Sequence, residues 1–274
     1  MAFEQFELAC ADNGDIRLLQ VTDTHLFAKD EHNLLGINTS DSYQRVVEEI
    51  RHSQQSYDWV LATGDLSQDH SKDSYRRFAN ITRQLEKPCF WLPGNHDFRP
   101  HTTALSESGI IDAKHLISEH WQIIMLDTQV TGKPMGLLSS EQLEGLATAL
   151  QQYPEKSVLI CMHHQAVPVG SRWLDQHNLK NADEFFQVVA GCSKVRAVLF
   201  GHVHQNFEME HRGIAFMASP STCIQFLPLS AHFALDHQQP GWRYITLKSD
   251  GTISTRVCRL AERTFLPDPD SKGY

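Results

Sequence analysis

The chain has 274 residues, 41% of them hydrophobic, and a formal net charge of −9 with histidine neutral. A core of good size is available, while a broad electrostatic grip on nucleic acid or on an anionic membrane is argued against. Small anions stay open as ligands, because bound cations reverse the field inside a site. Six cysteines (Cys10, Cys89, Cys161, Cys192, Cys223 and Cys258) are dispersed and never form Cys-x-x-Cys, so neither a disulfide framework nor a zinc knuckle is indicated. The opening run MAFEQFELACADNG has neither a basic start nor a long apolar stretch. No segment approaches the roughly 20 apolar residues of a membrane helix. A cytoplasmic protein is expected.

In chain order, IRLLQVT over 16–22 reads as a buried strand. A helix is expected over 40–52, with Val46, Val47 and Ile50 on its buried side and Ser40 or Asp41 as its cap. WVLATG over 59–64 is the next strand. A helix over 71–86 follows, burying Tyr75, Phe78, Ala79, Ile81, Thr82 and Leu85. Strands are then expected over 89–94, 122–127 and 157–162, with a helix over about 139–151 before the last of them. A helix over 182–190 leads to strands over 195–201 and 214–218. GWRYITL and ISTRVC flank Ser249-Asp250-Gly251-Thr252 and resemble a closing hairpin.

Strand–helix alternation predicts an α/β core, and the late run of closely linked strands predicts that part of the sheet is antiparallel. No repeat or biased linker marks a boundary. Residues 1–274 are therefore expected to form one domain, with the strands and tail from about 241 completing or covering it. Loops 26–38, 128–138 and 219–240 are long, and long loops in compact domains are often functional.

Polar residues follow the strands at their C-terminal ends. They are Asp23-Thr24-His25, Gly64-Asp65, Gly94-Asn95-His96-Asp97, His163-His164 and Gly201-His202-Val203-His204. Ligand sites in open α/β sheets collect beyond those ends. Carboxylate, amide oxygen and imidazole together suit borderline divalent metals such as manganese, iron or zinc. In Asp23-x-His25 and His202-x-His204, alternate residues turn to one side if the chain stays extended. A single Asp can bridge two cations about 3.5–4 Å apart, as two-metal phosphate chemistry requires. Gly64, Gly94 and Gly201 allow close approach of the backbone.

Each piece alone has an ordinary reading. Asp23 and Asp65 can end strands or cap helices, Gly94-Asn95 can be a turn, and the His pairs can be one buried and one exposed ring. Five coincident strand ends make that accident improbable. The remaining histidines, such as His32, His101 and His115, lack this context and read as surface or supporting residues. Lys29, Arg99 and Arg172 read as solvated charge, and Trp173 as packing.

The combined pattern resembles the signature of the calcineurin-like metallophosphoesterases, from residue 23 to 204. TDTHLF, LLGINT, ATGDLSQD, WLPGNHDF, WLDQHNL, SPSTCIQF and PGWR further resemble the bacterial class III 3′,5′-cyclic AMP phosphodiesterases, over almost the whole chain. The resemblance implies a four-layer α-β-β-α sandwich with two mixed sheets packed together. It implies two divalent metal ions, iron or manganese with zinc also admitted. Asp23, His25 and His204 would hold the first, Asn95, His163 and His202 the second, and Asp65 both. His96 would lie beside the substrate phosphate as the catalytic residue, with Asp97 as its partner. The nucleotide would meet Asp23, His25, Asp65, Asn95, His96, His163 and His204. The family commonly has His-His-Pro-Pro where this chain has His163-His164-Gln165-Ala166, so His164 stands beside His163 as an alternative ligand.

The implied reaction is hydrolysis of cyclic AMP to 5′-AMP. A hydroxide bridging the metals attacks phosphorus in line, and His96 assists departure of the ribose 3′-oxygen. Neither a nucleic-acid polymer nor a membrane is implied as a partner. Rival readings are a metallophosphoesterase for another phosphodiester or a phosphomonoester, and a non-catalytic binding module on the same fold. The filled ligand positions weigh against the module. The loop Ser219–Cys223 and the Trp173 segment are candidates to border the base.

Overall fold

The computed structural model describes residues 3–261, 263–271 and 273. Met1 and Ala2 of the opening run, and Glu262, Lys272 and Tyr274 of the C-terminal segment, lie outside the described residues. The strands are β1 (Gln5–Glu7), β2 (Ile16–Val21), β3 (Asn33–Leu34), β4 (Ile37–Asn38), β5 (Trp59–Ala62), β6 (Cys89–Trp91), β7 (His115–Ile117) and β8 (Trp121–Met125). They continue as β9 (Ser157–Cys161), β10 (Val195–Phe200), β11 (Phe207–His211), β12 (Ile214–Ala218), β13 (Gln225–Phe226), β14 (Leu235–Asp236), β15 (Gly241–Leu247) and β16 (Ile253–Arg259). The α-helices are α1 (Thr39–His52), α2 (Lys72–Thr82), α3 (Thr103–Glu107), α4 (Ser140–Gln152) and α5 (Ala182–Val189).

Two sheets carry the architecture. One has seven strands in the order β1-β7-β8-β9-β10-β12-β11, the other five in the order β16-β15-β2-β5-β6. Both are mixed. β8, β9, β10 and β12 run parallel, as do β2, β5 and β6, while β11 and the β15–β16 hairpin are antiparallel to their neighbours. The hairpin pairs directly with β2, so the C-terminal strands complete the smaller sheet.

Side-chain alternation explains the layers. In β2, Ile16 and Leu18 face one way, into a core shared with Leu61 of β5, Ile123 and Met125 of β8, Leu159 and Cys161 of β9, and Leu199 of β10. That core lies between the sheets. Leu19 and Val21 of β2 face the other way, against Tyr43, Val46, Val47 and Ile50 of α1 and Tyr75 and Phe78 of α2. Val158 and Ile160 of β9 and Val198 and Phe200 of β10 likewise meet Leu146 and Leu150 of α4 and Phe185 of α5. Three apolar interfaces thus stack as helix, sheet, sheet, helix, the sandwich the resemblance implies.

The local differences from expectation have physical causes. The α1 cap is Asn38, whose Oδ1 accepts from Asp41 N at 2.9 Å, two and three residues ahead of the candidates Ser40 and Asp41. The helix expected over 71–86 is α-helical only to Thr82 and tightens to a 3₁₀ turn over Arg83–Leu85. Its anticipated apolar side is buried all the same. Strand β11, FEMEH, was not anticipated, because it is a polar edge strand with mostly exposed side chains. His115 is a core residue rather than a surface one, its Nε2 lying 2.8 Å from Gln122 Oε1.

Candidate metal centre

Strands β2, β5 and β6 of the smaller sheet and β9 and β10 of the larger one end at the same edge, and the polar loops meet there. The loop after β2 is laced to the loop after β5 by main-chain bonds that continue beyond the strands. Asp23 N donates to Gly64 O at 3.0 Å, His25 N to Asp65 O at 3.0 Å, and Gln68 N to Leu26 O at 2.8 Å. Asp97 fastens the next loop. Its carboxylate accepts from Gly94 N at 2.9 Å, Leu66 N at 3.1 Å and Ser67 N at 3.2 Å.

Backbone conformation departs from the extended chain expected around the two His-containing pairs. Asp23, His25, Asp65, His202 and His204 all have φ between 45° and 65°. Left-handed backbone at a non-glycine residue costs about 1–3 kcal/mol and persists where surroundings over-determine it. The lacing bonds supply that determination for Asp23, His25 and Asp65, and in the last loop His202 N donates to Asp23 Oδ1 at 3.1 Å. The glycines are explained by close approach. A Cβ on Gly64 would collide with the His163 ring and lie 2.8 Å from Gly94 N, and Gly64 itself has φ +97°. A Cβ on Gly94 would collide with the Asp65 carboxylate, and one on Gly201 would lie 2.9 Å from Asp23 Oδ2.

The side chains converge. His163 Nε2 lies 3.3 Å from Asp65 Oδ2, 4.0 Å from Asp23 Oδ1 and 3.2 Å from Asn95 Oδ1. His204 Nε2 lies 3.3 Å from Asp23 Oδ1, and His25 Nε2 lies 3.8 Å from Asp65 Oδ2. Among the described residues, Asp23, His25 and His204 form one group whose donor atoms lie within 4.8 Å of one another, and Asp23, Asp65 and His163 form another. His163, His164 and His202 form a third, and His25, Asp65 and His96 a fourth. All seven anticipated ligand positions and His96 are therefore brought together, with Asp97 behind them.

The donor set fits cations. His163 Nδ1 lies 2.8 Å from Thr63 O, His204 Nδ1 3.0 Å from Ile224 O, and His25 Nδ1 2.7 Å from Gln68 Oε1. Those oxygens only accept, so each ring carries its proton on Nδ1 and turns Nε2 inward. His25 Nε2 and His204 Nε2 then face each other at 3.2 Å. Two lone pairs so placed repel unless a proton or a cation lies near them. His202 Nε2 is buried with no hydrogen-bond partner, as a ligand nitrogen would be without its metal.

Electrostatics agree. Burial opposes the charges of Asp23 and Asp65, but the surrounding imidazoles, His204 for Asp23 and His163 for Asp65, hold both carboxyls below the ordinary range. Burial pulls His25 down to about 3 and drives His164 and His202 well below the usual imidazole value. Burial also acts against His163, but the Asp65 carboxylate prevails and pushes it up to about 9. Ionised carboxylates and neutral imidazoles are the forms that bind metal, so a cation at His163 must displace the Nε2 proton that Asp65 favours there, while His25, His164 and His202 are already neutral. Burial raises Asp97 to about 7, helped by the Asp65 charge.

His164 Nδ1 lies 2.7 Å from Thr128 Oγ1, and its Nε2 is buried with no hydrogen-bond partner, as is that of His202. His163 holds the position between both carboxylates. Several supports were not legible in the sequence. Phe226 stacks on the His204 ring at 4.3 Å, and Trp173 meets Phe226 edge-on at 4.9 Å. The loop Ser219–Cys223, a candidate to border a base, is buried and braces Asp23 from behind. Ser221 Oγ donates to Asp23 O at 2.7 Å and Thr222 N to Thr22 O at 3.1 Å. Arg99 pairs with Asp127, its side chain half exposed.

Known proteins are similar to this chain in sequence and in fold. The sequence profile of the calcineurin-like phosphoesterase family matches residues 16–206. The 3′,5′-cyclic adenosine monophosphate phosphodiesterase CpdA of Vibrio vulnificus is 51% identical, covering 95% of this chain and 96% of its own length. The Escherichia coli protein of the same name is 48% identical, covering 97% and 98%. Among solved structures, a dimetal phosphatase from Danio rerio is similar in fold, with a TM-score of 0.58, 15% identity, and 89% and 98% of the two chains covered.

Proposed function

The chain belongs to the calcineurin-like phosphoesterase family, and from that premise we propose that it hydrolyses 3′,5′-cyclic AMP to 5′-AMP at a dinuclear metal centre. One observation carries the reading. Relatives named for this activity are 46–51% identical over nearly their whole length and nearly all of this chain. The buried donor cluster supports it from within.

We assign Asp23, His25 and His204 to the first metal, Asn95, His163 and His202 to the second, and Asp65 to both. His163 is preferred over His164 because its Nε2 faces both carboxylates and Asn95. Oxygen and nitrogen donors without sulfur suit manganese or iron, with zinc also compatible. Two such ions supply an activated water nucleophile and neutralise charge on the phosphoryl oxygens. The remaining work falls to this chain. His96 is half-buried at the cluster, its ring 5.0 Å from that of His25, and its N donates to Asp65 Oδ1 at 2.8 Å. It is assigned to the phosphate side, protonating the departing ribose 3′-oxygen. Burial lowers its proton affinity. To act as the acid it must carry a proton when the phosphodiester is bound. Asp97 is a positioning residue, since its carboxylate binds the main chain of the two loops that carry Asp65 and Asn95.

The chain is proposed to act as one metallophosphoesterase unit in the cytoplasm. All six cysteines are unpaired, as a reducing compartment keeps them. No described helix is long and apolar enough to cross a membrane. A panel of 3′,5′-cyclic nucleotides, linear diesters and phosphomonoesters tests the substrate. Cyclic AMP is expected to give the highest kcat/KM, with 5′-AMP as product. A preference for monoesters would contradict the reading.

A further inference from the structure

We infer that Gln68 is a positioning residue that sets the affinity of the first metal position by fixing the ring of His25. The inference rests on the ligand assignment proposed above. Three of the candidate ligands present Nε2 to the cluster and anchor Nδ1 on an oxygen. For His163 and His204 that oxygen belongs to the main chain, at Thr63 and Ile224. For His25 it is a side-chain atom, Oε1 of Gln68, 2.7 Å away. Of the three bonds, this is the one that a side-chain substitution removes.

Gln68 is delivered to His25 by the same lacing that shapes the site. Leu26 and Ser67 form a parallel bridge, and Gln68 N donates to Leu26 O at 2.8 Å. The amide is therefore held in register with the ring it orients. With Oε1 turned to the ring, the amide accepts from the form of His25 protonated on Nδ1 and leaves the Nε2 lone pair for a cation. Residues that orient a metal-bound imidazole in this way are worth about 10–100-fold in metal affinity. A glutamate at the same place accepts the same bond and makes the ring a stronger donor. A leucine fills similar space and accepts nothing.

The test is chelator competition on the full-length, manganese-loaded protein, reading bound manganese against chelator concentration, with thermal unfolding alongside. Gln68→Leu is expected to release one of its two manganese ions about 10–100-fold more readily than the unsubstituted protein, the other ion unchanged. Gln68→Glu is expected to hold both at least as tightly as the unsubstituted protein. Unchanged retention in Gln68→Leu would overturn the inference. So would parallel loosening of both ions, or failure of Gln68→Glu to restore binding, since either marks a packing role. His25→Ala is the reference. If it keeps two manganese ions at full affinity, the ligand assignment itself falls.

Discussion

Asp65→Ala is expected to empty both metal positions and to abolish phosphodiesterase activity. Asp65 Oδ2 is 3.3 Å from His163 Nε2 and 3.8 Å from His25 Nε2, so it faces a ligand of each proposed ion. Its Oδ1 also accepts from His96 N at 2.8 Å. The substitution therefore removes a shared ligand, the main counter-charge of His163 and an anchor of the loop bearing Asn95 and His96. An electrostatic contribution of about 4 kcal/mol at a reacting centre corresponds to roughly 10³-fold in rate, and the loss is expected to be at least of that order. Elemental analysis beside the cyclic AMP assay checks it. Two retained metals would refute the shared role of Asp65.

His96→Ala is expected to separate metal binding from turnover. The ring stands beside that of His25, yet on the proposed assignment the first metal would already have Asp23, His25, Asp65 and His204, and the second Asp65, Asn95, His163 and His202. Removing His96 should leave metal content at two per chain. Turnover should fall by about 10²–10⁴-fold, the usual worth of positioned general-acid help. The deficit should shrink for a diester whose leaving group departs without a proton, such as a nitrophenolate. Loss of metal with the fold intact would contradict the assignment, because His96 would then be a ligand.

The layers were legible because each buried strand is an apolar run and each helix has one apolar stripe, as with Val46, Val47 and Ile50 in α1. The polar loops were legible because they follow those runs directly. What the residue pattern concealed was how alternate side chains reach one point. Asp23 and His25 look like neighbours on an extended strand, but both adopt left-handed backbone that only the tertiary lacing makes affordable. Supports supplied by distant segments were equally hidden. Phe226 on His204 and Ser221 on Asp23 join residues far apart in the chain, and no local spacing announces them. Gln68 left the better trace, three residues after Asp65 within ATGDLSQD, where an amide stands close to a carboxylate proposed to bind metal.

The central claim is that cyclic AMP hydrolysis and a pair of bound metals belong to the same site. It is tested most directly by measuring bound metal and 5′-AMP formation on one preparation as divalent metal is restored stepwise. Turnover should rise with occupancy of the second equivalent and level off at two ions per chain. Full turnover with one ion or none, or two bound ions without hydrolysis of cyclic AMP, would contradict it.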